Sequence, residues 1–163
     1  MPNVTAKNLT QALQKVQSLD IKGKELIFDE IYNEQPNLLA SVLVQQRLGN
    51  SLQDVDVLLN ILMVLHLSLK EAGITISKIT EREQEHQQRL LKSTILFSEG
   101  LGDNLVKNSV DQYVSNHSEP ILLAYVIGAM RDSGFFEKKE ENSKYLTQAG
   151  LNLVACIANG KQK

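Results

Sequence analysis

Pro36-Asn37-Leu38-Leu39-Ala40-Ser41-Val42-Leu43, closed by Arg47, returns in the second half of the chain as Pro120-Ile121-Leu122-Leu123-Ala124-Tyr125-Val126-Ile127, closed by Arg131. A helix tolerates proline at its first position, where the missing amide hydrogen would be unpaired anyway, and the apolar residues behind each proline recur at helical spacing. The chain reads as one helical unit written twice. Self-similarity on this scale sets architecture before any residue-level chemistry does.

The match extends outward on both sides. Upstream, Gly23-Lys24-Glu25-Leu26-Ile27 followed by Ile31 parallels Gly102-Asp103-Asn104-Leu105-Val106 followed by Val110. Further upstream, Gln11-Ala12-Leu13-Gln14-Lys15 parallels Gln88-Arg89-Leu90-Leu91-Lys92, and downstream Leu59-Asn60-Ile61-Leu62 parallels Leu151-Asn152-Leu153-Val154. The matches keep their order, which predicts a helical bundle of two similar four-helix halves, about residues 5–72 and 80–160, within one all-α domain spanning 1–163.

Helices are expected near Thr5–Leu19, Lys24–Asn33, Pro36–Gly49, Ser51–Gly73, Thr80–Ser98, Asp103–Ser115, Pro120–Asp132 and Ser143–Asn159. Ser51 with Asp54, and Thr80 with Glu83, have the spacing of helix caps. The helix from Ser51 carries apolar residues on two faces, Val55, Leu58, Leu62 and Leu69 on one and Val57, Ile61 and Val64 on the other. Such a helix is central and covered nearly all round.

The halves differ most where their third and fourth helices join. Gly49-Asn50-Ser51 suffices in the first half, whereas Asp132 to Ser143 fills that place in the second, with paired aromatics Phe135 and Phe136 ahead of a mixed charge run. A loop that only one copy carries is the first suspect for a specialised role, here partner binding. The competing expectation is that both rings fold back to seal the core, as large apolar side chains usually do. The stretch Glu81–Gln88 is polar on every side, so it either projects into solvent or meets a partner through Glu81 and Glu85.

Bulk properties exclude several classes. The formal charge is −2 with signs interspersed, which does not make a nucleic-acid surface, and a helix-turn-helix outline over Val42–Leu62 would offer DNA Asp54 and Asp56 with no Lys or Arg between Leu48 and Leu69. The most apolar run, Val57–Leu69, is shorter than the roughly 20 residues that cross a bilayer, so no membrane partner is expected. No secretory signal is seen in Met1–Asp20, and the single cysteine, Cys156, cannot form an internal disulfide, so a reducing, cytoplasmic setting is expected. In the apolar stretch Leu151–Ala158, Cys156 reads as a small buried hydrophobe.

Reactive constellations are weak. Glu83 and His86 form a Glu-x-x-His pair, which points a carboxylate and an imidazole at one spot on a helix, but a two-metal bundle site needs two such pairs and Glu83 already has a capping task. No metal and no cofactor is therefore expected. His66 lies on a core face, with Asn60 nearby and Asn152 at the position matching Asn60; a ligand contact by these three is set against ordinary buried hydrogen bonds. His117 sits between Ser115 and Glu119, but side chains adjacent in one loop do not converge as a hydrolytic triad does. The expected function is a non-catalytic interaction protein, an adaptor or regulatory subunit, forming a homodimer or binding another protein. The alternative is a small-molecule-binding helical protein or enzyme with a pocket between the halves near His66.

Overall fold

The helices that follow Thr5, Asp20, Ser51 and Thr80 start on a side chain that accepts a free first-turn amide, and those that open at Pro36 and Pro120 begin with a residue that has no amide hydrogen to pair. The computed structural model describes residues 3–99, 113–138 and 140–161, with residues 94–99 described by their backbone alone. The fold is all-α. Its elements are α1 (Ala6–Ser18), α2 (Ile21–Glu34), α3 (Pro36–Leu43), α4 (Leu52–Ala72), α5 (Glu81–Glu99), α6 (Pro120–Asp132) and α7 (Ser143–Asn159), with 3-10 turns at Val44–Gln46 and Phe135–Glu137. The helix expected at Asp103–Ser115 lies outside the described residues apart from its end, where residues 113–116 are helical. The repeat match at Gly102–Val110 lies outside them too.

Thr5 caps α1 and exchanges hydrogen bonds with Asn8, 3.2 Å from the Asn8 amide to Thr5 Oγ1 and 3.0 Å from the Thr5 amide to Asn8 Oδ1. Thr80 and Glu83 do the same ahead of α5, at 3.1 and 2.8 Å. Ser51 Oγ takes the Asp54 amide at the start of α4. Helix α2 begins three residues before its expected start, because Asp20 Oδ1 accepts the Gly23 amide at 2.7 Å and so caps at Asp20. Helix α3 is shorter than expected. It ends at Leu43 and tightens into the 3-10 turn before Gly49, whose φ of +95° turns the chain toward α4.

Helix α4 is the axis. Val55, Leu58, Ile61, Leu62 and Leu65 face the larger core with Leu38 and Val42 of α3, Leu122, Leu123 and Val126 of α6, and Leu153, Val154 and Ile157 of α7. Its other side, Met63, Val64 and Leu67, packs on Ala12 and Val16 of α1. Helix α5 lies on α7. Over its 21 residues α4 is long and apolar enough to cross a membrane, which corrects the expectation that this segment falls short. Of its most apolar window, 61% is buried against the other helices, as the core helix of a bundle would be.

The segments that follow α4 and α7 meet. Ile76 and Lys161 form an isolated antiparallel bridge, and the Ser77 amide donates to the Gly160 carbonyl at 2.9 Å. At the opposite end, Asn50 Nδ2 donates to the Asn142 carbonyl at 3.1 Å, and Lys138 pairs with Asp54 at 3.3 Å. These contacts join the α3–α4 turn to the longer loop between α6 and α7.

Candidate functional site

Three places carry polar chemistry, and they lie on different elements. The first is a cavity of about 330 Å³ between α5 and the end of α7, lined among others by Arg82, Glu83, His86, Arg89, Cys156 and Asn159. Arg82, His86 and Arg89 recur at helical spacing and so share a face of α5. The Glu83 carboxylate is engaged with the Thr80 amide as a cap. Burial pushes the Cys156 thiol up to about 12, with the Glu83 carboxylate adding to the rise. A thiol held neutral in this way is a poor nucleophile.

The second place lies between α2 and α4. His66 Nε2 is 3.0 Å from Glu30 Oε1, and the His66 side chain is only 10% exposed. Glu34 follows one turn after Glu30, and Lys70 one turn after His66, with the Lys70 ammonium also on Glu30 Oε1. Burial lowers the His66 pKa and the Glu34 carboxylate opposes that fall. Among the described residues, Glu30, Glu34 and His66 are the one set of metal-ligand side chains that comes together, their ligand atoms within 4.8 Å of one another. Glu83 and His86 are not such a set.

The third place joins both chain ends to the middle. Glu119 is completely buried, its Oε2 accepting the Val4 amide at 3.1 Å, while Lys161 Nζ donates to Glu119 Oε1 at 2.5 Å and to Asn3 Oδ1 at 2.8 Å. His117 Nδ1 accepts the Glu119 amide at 2.9 Å, and its ring meets Tyr113 edge-on with centroids 5.7 Å apart. In the sequence Glu119 stands out only as a neighbour of His117 in one loop. Its partners lie 42 and 115 positions away, so no local pattern could have named them.

The residues singled out in the sequence do not converge. Asn60 is exposed, His66 turns toward α2, and Asn152 Nδ2 donates to the Gln84 carbonyl at 3.2 Å. A hydrogen bond shared by Asn60 and Asn152 is therefore not what the two positions have in common. None of the three lines the cavity beside α5. Asn152 Oδ1 and Gln148 Oε1, one turn apart on α7, are buried without a hydrogen-bond donor.

The polar start of α5 faces solvent at Glu81, Arg82, Glu83, Glu85 and His86 and meets the rest of the fold through Gln84. Gln84 Nε2 donates to the Asn37 carbonyl at 3.0 Å while its own carbonyl holds Asn152. Glu81 and Glu85 are exposed. The aromatic pair divides, with Phe135 only 2% exposed in the core and Phe136 50% exposed. Comparison with protein-family models, curated proteins and solved structures finds no match, so function rests on the geometry.

Proposed function

We propose that this chain is a non-catalytic helical interaction protein, an adaptor or regulatory subunit, whose first partner is a second copy of itself. The observation that carries the reading is the apolar surface where the two loops meet. Leu43, Val44, Leu48 and Leu52 are exposed around the α3–α4 turn, and Phe136 and Tyr145 are exposed on the loop side. Scattered exposed leucines are ordinary, whereas six large apolar side chains at one end of a bundle are the kind of surface that partners cover. Charges of both signs surround them, with exposed Arg47 and Lys144 against Glu137, Glu140 and Glu141. A twofold interface brings one patch onto its own copy, so a rim holding both signs can complement itself. Glu81 and Glu85 offer a separate polar contact on α5.

The same reading includes an origin by duplication of a four-helix unit. Supporting it, Leu58, Ile61, Leu62 and Leu65 on α4 and Gly150, Leu153, Val154 and Ile157 on α7 are buried at identical spacing. The proposal keeps the chain in the cytoplasm, as one domain, without nucleic acid as partner for the reasons of charge and cysteine content given above, and without a membrane because α4 is mostly buried against the other helices.

Sedimentation equilibrium over a wide concentration range tests the dimer. The expected result is a monomer–dimer equilibrium that shifts to monomer in the Leu52→Glu, Phe136→Ser double variant with helical content kept. A chain that stays monomeric throughout removes self-association, and an unshifted equilibrium in the variant removes this end as its seat.

The cavity beside α5 favours a second reading, small-anion binding through Arg82, His86 and Arg89, at a place other than the expected pocket near His66. At about 330 Å³ it reaches the lower bound of small-molecule pockets. Thermal shift with phosphate or citrate, lost in Arg82→Gln with Arg89→Gln, is the result that would favour it over the interaction reading.

A further inference from the structure

We infer that Glu30, Glu34 and His66 form a binding site for one divalent transition-metal ion of the zinc type, clamped between α2 and α4. Two carboxylates one helical turn apart on α2 face the same point in space, and His66 on α4 presents Nε2 to that point from the neighbouring helix. Their ligand atoms already lie within 4.8 Å of one another, with His66 Nε2 and Glu30 Oε1 at 3.0 Å. Ligands on a tetrahedral zinc ion stand about 3.3 Å apart, from metal–ligand distances of about 2.0–2.1 Å. Rotation about glutamate side-chain bonds spans the remaining difference without moving either helix.

The donor set selects the class of metal. An imidazole nitrogen with two carboxylates suits zinc and its first-row neighbours, whereas calcium takes six to eight oxygens and magnesium keeps most of its water. Three protein ligands also leave a coordination position for solvent. The ion has a route in, since Glu34 is exposed and Glu30 partly so, while His66 is nearly buried behind them.

Lys70 is the internal competitor. Its ammonium now shares Glu30 Oε1 with His66, and its side chain is half-exposed. A metal ion neutralises both carboxylates and frees Lys70 to water. The clamp also has a physical consequence for α2, which buries only Ile31 fully and exposes Ile21, Leu26 and Tyr32. A ligand that binds only the docked arrangement of α2 and α4 stabilises the folded chain.

Isothermal titration with zinc, together with cobalt absorption, tests the site on the full chain. One ion per chain is expected, with visible cobalt bands of low-symmetry coordination and a raised melting temperature. His66→Gln and Glu34→Gln should each weaken zinc binding at least tenfold; Glu34 is exposed, so its variant keeps the fold even where His66→Gln does not. Lys70→Met should tighten binding several-fold, an outcome that nonspecific surface binding would not produce. The inference is overturned by the absence of saturable binding, by binding that Glu34→Gln leaves unchanged, or by binding that disappears instead with His86→Gln.

Discussion

Gln35 and Glu119 hold nearly the same backbone conformation, φ/ψ of −138°/62° and −130°/67°, each directly before the proline that opens a helix. Both side chains are buried, and each accepts the amide just ahead of a threonine cap in the other part of the chain. Gln35 Oε1 takes the Ile79 amide at 2.8 Å, before Thr80; Glu119 Oε2 takes the Val4 amide at 3.1 Å, before Thr5. The relationship is crossed, so the two parts of the chain are laced together by polar side chains as well as by the apolar seam along α4. The cations differ. Gln35 donates its own Nε2 to the Ser77 carbonyl, whereas Glu119 needs Lys161 to balance its charge.

Glu119→Ala should be among the most destabilising polar substitutions. It leaves the Lys161 ammonium, 5% exposed, without its carboxylate, and the Val4 amide without an acceptor. Breaking a buried pair from one side costs about 3–5 kcal/mol, and urea unfolding measures it. Glu119→Gln combined with Lys161→Met removes both charges while keeping an acceptor for Val4, and should recover most of the loss. A double variant no more stable than Glu119→Ala would show that the charged pair itself, and not relief of an unpaired Lys161, carries the stability.

His117 gives stability a pH dependence of defined sign. Burial lowers its pKa; the Glu119 carboxylate opposes the fall, and Lys161 deepens it. A histidine whose folded pKa lies below its unfolded value of about 6.5 contributes full stability above that value. As pH falls through it, the unfolded chain takes up the proton first and stability drops, until the folded pKa is passed. His117→Asn places Oδ1 where Nδ1 accepts the Glu119 amide, yet does not titrate. Unfolding free energies from pH 8 to pH 5 should therefore decline less steeply in His117→Asn than in the parent chain.

The parts of this fold that were legible in the sequence are those written in local chemistry. Thr5, Ser51, Thr80, Pro36 and Pro120 mark helix starts within a few residues of where they occur, because a cap or a proline acts on its own next turn. Helix α2 starts three residues ahead of the expected Lys24, because Asp20 caps it by accepting the Gly23 amide. What was not legible depends on tertiary placement. Gln84 reads as solvated until α7 brings Asn152 to its carbonyl. The charged group of Glu30, Glu34, His66 and Lys70 needs two helices in register, and Glu119 needs Lys161 and Val4 from opposite ends of the chain.

Phe135 and Phe136 should separate cleanly under substitution. Truncating Phe135, 2% exposed beside the core of α6 and α7, to Ala opens a cavity and costs about 3–5 kcal/mol. Phe136→Ala, at a half-exposed ring, should stay within about 0.5 kcal/mol, as surface changes usually do. Chemical denaturation of the two single variants checks the contrast. Comparable losses at both positions would mean that the Phe136 ring packs far more tightly than its exposure indicates.

Gly150 is required by contact, because a Cβ built there would lie 2.6 Å from Met130 Sδ and 3.5 Å from Leu58 Cδ2. The glycine lets α7 approach both α6 and α4 where Met130 and Leu58 are fully buried. Gly150→Ala therefore overpacks the core, at a cost of about 1–3 kcal/mol, against the gain in helix propensity that alanine brings on a solvent-facing turn. Methionine is the yielding partner, unbranched and able to move its sulfur aside. Shortening it should return part of the loss, so Met130→Ala and Gly150→Ala together should cost less than the sum of the two alone. A double-mutant cycle in urea reads this coupling directly. Strict additivity would mean that the clash is relieved by a shift of α7 as a whole, with Met130 left where it is.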